Sequence, residues 1–234
     1  MMTAETVALQ RFLPRLKGDI AVQYAFAGTS AMLKPCVIEH KFFLQACEHP
    51  EKRTESGPEE DGFQALYIKE NSFLPFASSS VDCCLLSHML EFSDDPHQLL
   101  RDSKEILVSG GHLVIMGFNP YSFWGGRKMF SRGRAPWNGH NISVYKMRDW
   151  LSLLDFQVTG GMMLYYSPLI NNEDMRHKFR FMEDAGDRWW PMLGAIYLLV
   201  AQKREQGTTV IDFRENFKHS RYLNIAEPVV KNYR

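Results

Sequence analysis

A chain of 234 residues with 45% apolar and 23% charged side chains can bury a substantial core, which excludes disorder throughout and is most simply met by one domain. Its 27 basic and 27 acidic side chains cancel, so no overall field draws it to nucleic acid or to an anionic membrane, although local patches still can. No apolar run approaches the roughly 20 residues that span a bilayer, and MMTAETVALQRFLPRLKG carries Glu5 and Arg11 where a secretory leader would be apolar.

In chain order, IAVQYAFAGTS (20–30) reads as a buried strand entering a turn that holds a single glycine, Gly28. A short strand is expected at CVIEH, and the acidic, Pro- and Gly-containing ACEHPEKRTESGPEEDG (46–62) is expected to be an exposed connector. Strands at Ala65–Lys69 and Val81–Leu86, a helix at Pro96–Leu107 and a strand at His112–Met116 then alternate, as parallel strands with helical crossovers do. The strands VDCCLL and HLVIM are almost wholly apolar, as central strands covered on both faces are. Cys83 and Cys84 therefore read as core. With Cys36 and Cys47 they show no C-x-x-C spacing, and a reduced, cytoplasmic setting is expected.

The helix carries its own punctuation. Asp95 is placed to cap it, Pro96 suits the first helical position, and Gln98 stands at the capping-box position. Leu99, Leu100, Ser103, Ile106 and Leu107 share one side, with Arg101, Asp102, Lys104 and Glu105 on the other, and Gly110 and Gly111 are expected to end the helix. A further helix is expected from about Ser143 to Leu154, then strands at FQVTGGMMLYY and AIYLLVAQK with a polar helical stretch, NNEDMRHKFRFMEDAGDRWW, between them. Residues 1–204 form one expected domain, and the tail 205–234, which lacks any sustained period, is expected to be partly disordered.

Residues 74–117, LPFASSSVDCCLLSHMLEFSDDPHQLLRDSKEILVSGGHLVIMG, closely resemble the LPF-x-D-x-SFD…LEH-x-x-DP…LRE-x-x-RVL-x-PGG signature of class I S-adenosylmethionine-dependent methyltransferases. NPYSFWGGRK (119–128) and DWLSLLDFQV (149–158) resemble the small bacterial YafS-type branch. The resemblance extends over about residues 18–203. It implies an α/β fold: a seven-stranded, mostly parallel sheet with helices on both faces, Rossmann-like, whose last strand is antiparallel. It also implies S-adenosylmethionine lying across the carboxyl ends of the first strands.

The family's first motif, E/D-x-G-x-G-x-G, falls on Gln23, Ala25, Ala27 and Thr29, with Gly28 one position off. Alanine keeps such a loop narrow without glycine's freedom at positive φ, so weakened cofactor binding is implied rather than its loss. The acid that holds the ribose at the end of the second strand is matched to Glu39. The adenine acceptor is matched to Glu70, with Asn71 beside it, and Ser87 and His88 match positions that border the methionyl part. Methyl transfer asks chiefly for orientation. His88 as proton acceptor and Tyr121 as orienter are the candidate catalytic groups, each with an ordinary packing role as the competing reading.

His88, Glu91, Asp94 and His97 could suggest a metal, but Asp94 and Asp95 suit helix entry better, and no metal is expected. Residues 118–140 mix Phe123, Trp124, Phe130 and Trp137 with Arg127, Lys128, Arg132 and Arg134. They read equally as a mobile cover over a substrate pocket, a peripheral membrane contact, or a solvated basic face. Nucleic acid is disfavoured because this patch is short. The leading reading is methylation of a small molecule, and its rival is a non-catalytic pseudo-methyltransferase used as a binding or regulatory module. A nicotinamide-dependent dehydrogenase is disfavoured because G-x-G-x-x-G is absent.

Overall fold

The computed structural model describes residues 2–26, 29–47, 63–69, 73–122, 140, 142–166 and 192–204. The calls on Ala27, Gly28, Glu70, Asn71, most of 118–140, the polar stretch 171–190 and the tail 205–234 lie outside the described residues. Helix α1 spans Met2–Leu9, and a 3-10 turn follows at Leu13–Arg15. The strands are β1 (Ile20–Phe26), β2 (His40–Cys47), β3 (Phe63–Lys69), β4 (Val81–Ser87), β5 (Leu107–Phe118), β6 (Phe156–Leu164) and β7 (Ile196–Lys203). Helix α2 spans Pro96–Ile106 and α3 spans Val144–Leu153. No helix among the described residues is long and apolar enough to cross a membrane.

The seven strands form one sheet in the order β3-β2-β1-β4-β5-β7-β6. Pairs among β1 to β5 are parallel, whereas β7 runs antiparallel to both β5 and β6, as expected of the last strand. Side chains alternate between two faces of the sheet because the strand period is two. Val22, Tyr24, Cys84, Leu86, Leu113, Ile115, Tyr197 and Leu199 face one core with α2 and α3, built on Leu99, Leu100, Met147 and Leu151. Ala21, Ala25, Cys83, Leu85, Val114, Met116, Leu198 and Val200 face the other, covered by Leu9, Leu13 and Leu16 and by Met32, Leu33, Cys36 and Ile38.

Helix α2 forms where its caps predict. The Asp95 carboxylate accepts from Gln98 N at 2.9 Å, but the Gln98 side chain turns to Asp102 and Arg101, so the reciprocal half of the box is not made. Two expectations are corrected. Helix α2 stops at Ile106 and the chain passes directly into β5; Lys203 Nζ donates to the carbonyls of Lys104 and Leu107, meeting the helix end that glycine was expected to serve. Gly110, at φ 77°, instead lies where the β4–β5 register jumps from Val81↔Leu107 to Cys83↔His112. The second strand begins only at His40: residues 36–39 precede it, with Cys36 N bonded to Leu33 O in a turn and Cys36 and Ile38 packed against the sheet.

Candidate functional site

The strand order reverses between β1, which continues to β2 on one side, and β4 on the other, so their carboxyl ends frame the switch point at which open α/β sheets bind ligands. The last paired residues there are Ala25 and Ser87, both buried. Beyond β1 the described loop 29–39 contains no helix. It is held by side-chain amides: Gln23, fully buried on β1, donates from Nε2 to Ser30 O at 3.1 Å and accepts from Met32 N at 2.6 Å. Gln45 on β2 reaches Thr29 O at 3.4 Å, Thr29 N closes a turn onto Phe26 O at 3.1 Å, and Ser87 Oγ donates to Met32 Sδ at 3.6 Å. Gln23 thus positions the loop, and both functional atoms of its amide are engaged within the chain.

Glu39 does not reach this edge. It precedes His40, the first residue of β2, and β2 runs parallel to β1, so Glu39 stands at the amino end of the sheet. The misplacement follows from the strand's true start. The acid that follows the carboxyl end of β2 in the sequence is Glu48, outside the described residues.

His88 does lie at the edge. It follows β4 at φ 55°, in the left-handed region, with its N–H bonded to Met116 O at 3.0 Å. Its ring stacks on Phe118, with centroids 4.3 Å apart. Nε2 stands 3.7 Å from Glu5 Oε1 of α1, and Nδ1 stands 3.7 Å from Glu91 Oε1. Burial opposes the charge of the imidazole, but the two carboxylates more than compensate and raise its pKa from 6.5 to about 9. His88 is therefore an imidazolium at neutral pH, so the free base expected from sequence becomes a cation clamped between two carboxylates.

Glu91 is buried, and its Oε1 accepts from Phe118 N at 2.5 Å. Tyr197, reaching over from β7, is fully buried; burial, then the charge of Glu91, pushes its phenol well above the ordinary range. A β-carbon on Gly117 would stand 2.3 Å from Tyr197 Oη and 2.8 Å from Glu91 Oε1, so only glycine admits this approach. Glu5 and Tyr197 escaped the sequence reading because nothing local marks them. Tyr121 stands apart, 65% exposed, its N–H bonded to Asn119 Oδ1. Among the described residues no group of three His, Cys, Asp or Glu side chains is arranged to hold a metal. Cys83 and Cys84 are core: burial raises both thiols, Cys84 to about 12, so neither is an activated nucleophile.

Residues 45–115 match the family described as Methyltransferase domain. YafS of Escherichia coli K12, an uncharacterized protein, is 40% identical over 133 residues, which is 56% of this chain and 52% of that protein. The uncharacterized protein MJ1123 of Methanocaldococcus jannaschii is 28% identical over 150 residues, 64% of each chain. The chain thus spans between about half and two thirds of the length of these curated relatives. Among solved structures, an S-adenosylmethionine-dependent methyltransferase of Thermotoga maritima superposes with a TM-score of 0.62 at 18% identity, over 87% of this chain and 89% of that one. One from Mesorhizobium loti does so at 0.57 and 17%, over 85% and 97%. These likenesses show the fold, and the domain match covers the strand–helix–strand block that carries His88 and Glu91. With the sheet order, they show a class I methyltransferase-like fold, and over 133 residues the chain is similar to YafS.

Proposed function

We propose that the protein is an S-adenosylmethionine-dependent methyltransferase acting on a small molecule. The observation that carries this reading is the methyltransferase-domain match, which runs from Gln45 of β2 to Ile115 of β5 in a seven-stranded sheet of class I order and includes β4, whose carboxyl end borders the switch point. The described residues fit a ligand laid across β1 and β4: the side chains at the two strand ends, Ala25 and Ser87, are small, and the loop after β1 is held in place by Gln23 and Gln45. When bound, the cofactor supplies a methyl already activated by its sulfonium. The chain supplies orientation. Glu5 and Glu91, set against the single charge of His88, leave the edge with an excess of negative charge that suits a cationic ligand.

The test is calorimetric titration of S-adenosylmethionine and S-adenosylhomocysteine into the folded parent, Gly28→Val and Glu70→Ala proteins. Saturable binding is expected in the parent, its loss in Gly28→Val, where a β-branched side chain resists the turn, and weakening in Glu70→Ala. A parent that binds neither ligand at millimolar concentration refutes the reading and leaves a non-catalytic binding module.

A further inference from the structure

Of the side chains described on α1, Glu5, Ala8 and Leu9 are buried, whereas Val7 is 53% exposed. Positions i, i+3 and i+4 share one face of a helix, so α1 docks through a face whose first member is a carboxylate where an amphipathic helix carries an apolar residue. Ala8 and Leu9 pack into the core that holds Ala21 and Ala25 of β1. Glu5, one turn earlier, reaches the carboxyl end of β4, where its Oε1 stands 3.7 Å from His88 Nε2. His88 immediately follows Ser87, the residue paired with Ala25 at the switch point. The ring is anchored from its other side, stacked on Phe118 of β5 with Nδ1 3.7 Å from Glu91 Oε1.

A buried ion pair is a poor source of net stability, because apolar residues of similar volume often hold as well. Its distinctive property is asymmetry: removing one charge strands the other where nothing solvates it, and the simplest relief is for the stranded group to regain water. Here the partners sit on unequal supports. His88 is fixed to the sheet by β4 and by Phe118, whereas Glu5 rides on a helix of eight residues, a length that is not stable without docking. Loss of the pair therefore falls on α1 rather than on the sheet. Leu13, fully buried in the 3-10 turn that follows, keeps the far side of the hinge in place.

We infer that α1 is a strap latched by charge at the carboxyl end of β4: it lies docked while Glu5 and His88 are both charged, and it swings away as a unit, leaving the sheet folded, when that pair is lost. The titratable groups facing the ring are Glu5 from α1, Glu91 from the turn after β4 and, beyond Glu91, Tyr197 from β7, whose phenol stays neutral because burial, then Glu91, pushes it up. The docked ring keeps its proton up to about pH 9, and a ring released to water returns toward its ordinary 6.5. Release therefore gives up one proton: docking is strongest below 6.5 and weakens by as much as about tenfold per pH unit up to about 9. Resting on the methyltransferase reading, the strap also regulates the cofactor's edge. S-adenosylmethionine brings positive charge to an edge where two carboxylates face one imidazolium, and so favours the docked state.

The experiment follows alanine methyl resonances of the full chain from pH 6 to 10, each assigned by its absence in the corresponding glycine variant. Ala8 reports on α1, while Ala21, Ala25 and Ala201, buried in the sheet, report on the fold. In the parent the Ala8 methyl is expected to move toward a solvent-exposed position as pH rises between 6.5 and about 9, with the steepness of one proton, while the sheet alanines hold still. Glu5→Leu, which completes the apolar face, is expected to keep Ala8 docked at every pH, and His88→Gln, which strands the carboxylate, to release it already at pH 7. Saturating S-adenosylmethionine at the parent's midpoint is expected to return Ala8 to its docked position. An Ala8 resonance that stays fixed in the parent, one that moves only together with Ala21 and Ala25, or a transition that survives unchanged in Glu5→Leu would overturn the strap. S-adenosylmethionine that binds by calorimetry yet leaves Ala8 unmoved at that midpoint overturns its regulatory role. S-adenosylmethionine that does not bind at all sinks the methyltransferase reading and leaves the strap to stand on its pH transition.

Discussion

The charged cluster around His88 is open to direct measurement through Glu5→Gln. His88 has its pKa raised from 6.5 to about 9, and at about 1.4 kcal/mol per unit this corresponds to on the order of 3 kcal/mol of native-state preference for the charged ring. Because the folded value lies above the unfolded one, that stability is fully present below pH 6.5 and is lost as pH rises through about 9. Burial alone pushes the ring the other way, so the gain comes from Glu5 and Glu91, and Glu5 reaches the ring from a helix more than 80 residues earlier in the chain. The glutamine variant keeps the shape and removes the charge. Urea unfolding is expected to show the parent more stable by on the order of 1–2 kcal/mol near pH 6, with the gap closing as pH rises to 10. The ring resonance should titrate at a lower pH in the variant than in the parent. A gap that stays constant across this range, or a parent ring that titrates at or below its ordinary value, would refute the reasoning.

Gly117→Ala places a carbon 2.3 Å from Tyr197 Oη and 2.8 Å from Glu91 Oε1, and is expected to cost about 1–3 kcal/mol in urea unfolding; adding Tyr197→Phe should recover part of the loss, since the two changes share one contact. Gln23→Leu keeps the volume but strands Met32 N and Ser30 O, so a loss of about 1–3 kcal/mol in urea unfolding is expected together with weaker S-adenosylmethionine binding by calorimetry.

The block from β4 to β5 was legible because its signals are local. Asp95 and Pro96 announce the helix, Leu99, Leu100, Ser103 and Ile106 mark its buried face, and the apolar runs on either side announce central strands. The end of α2 was misread because Gly110 serves a strand irregularity while a lysine from β7 meets the helix carbonyls. The start of β2 was misread because Cys36 and Ile38, two residues apart in a loop packed on the sheet, repeat the period of a strand. That error carried Glu39 to the wrong end of the sheet. The site itself was half legible: His88 and Ser87 stand at a strand end that sequence marks, whereas Glu5 and Tyr197 arrive from α1 and β7 through tertiary packing alone.

The same logic bears on the missing glycines. A glycine-rich loop gains its geometry from backbone freedom and loses entropy in return, so a chain that replaces those glycines must hold the turn by other means or leave its backbone groups unmet. Here the carbonyls of Thr29 and Ser30 and the N–H of Met32 are all met, by Gln45 and Gln23, and Thr29 N closes back on Phe26 O. A decayed loop has no reason to recruit two buried or half-buried amides from adjacent strands to satisfy it. The side-chain network therefore fixes the described residues 29–32 beyond β1, with glutamine supplying hydrogen bonds where the family's glycines supply backbone freedom. Gln23 is accordingly expected to act on binding only through the loop it holds, since both functional atoms of its amide are engaged within the chain.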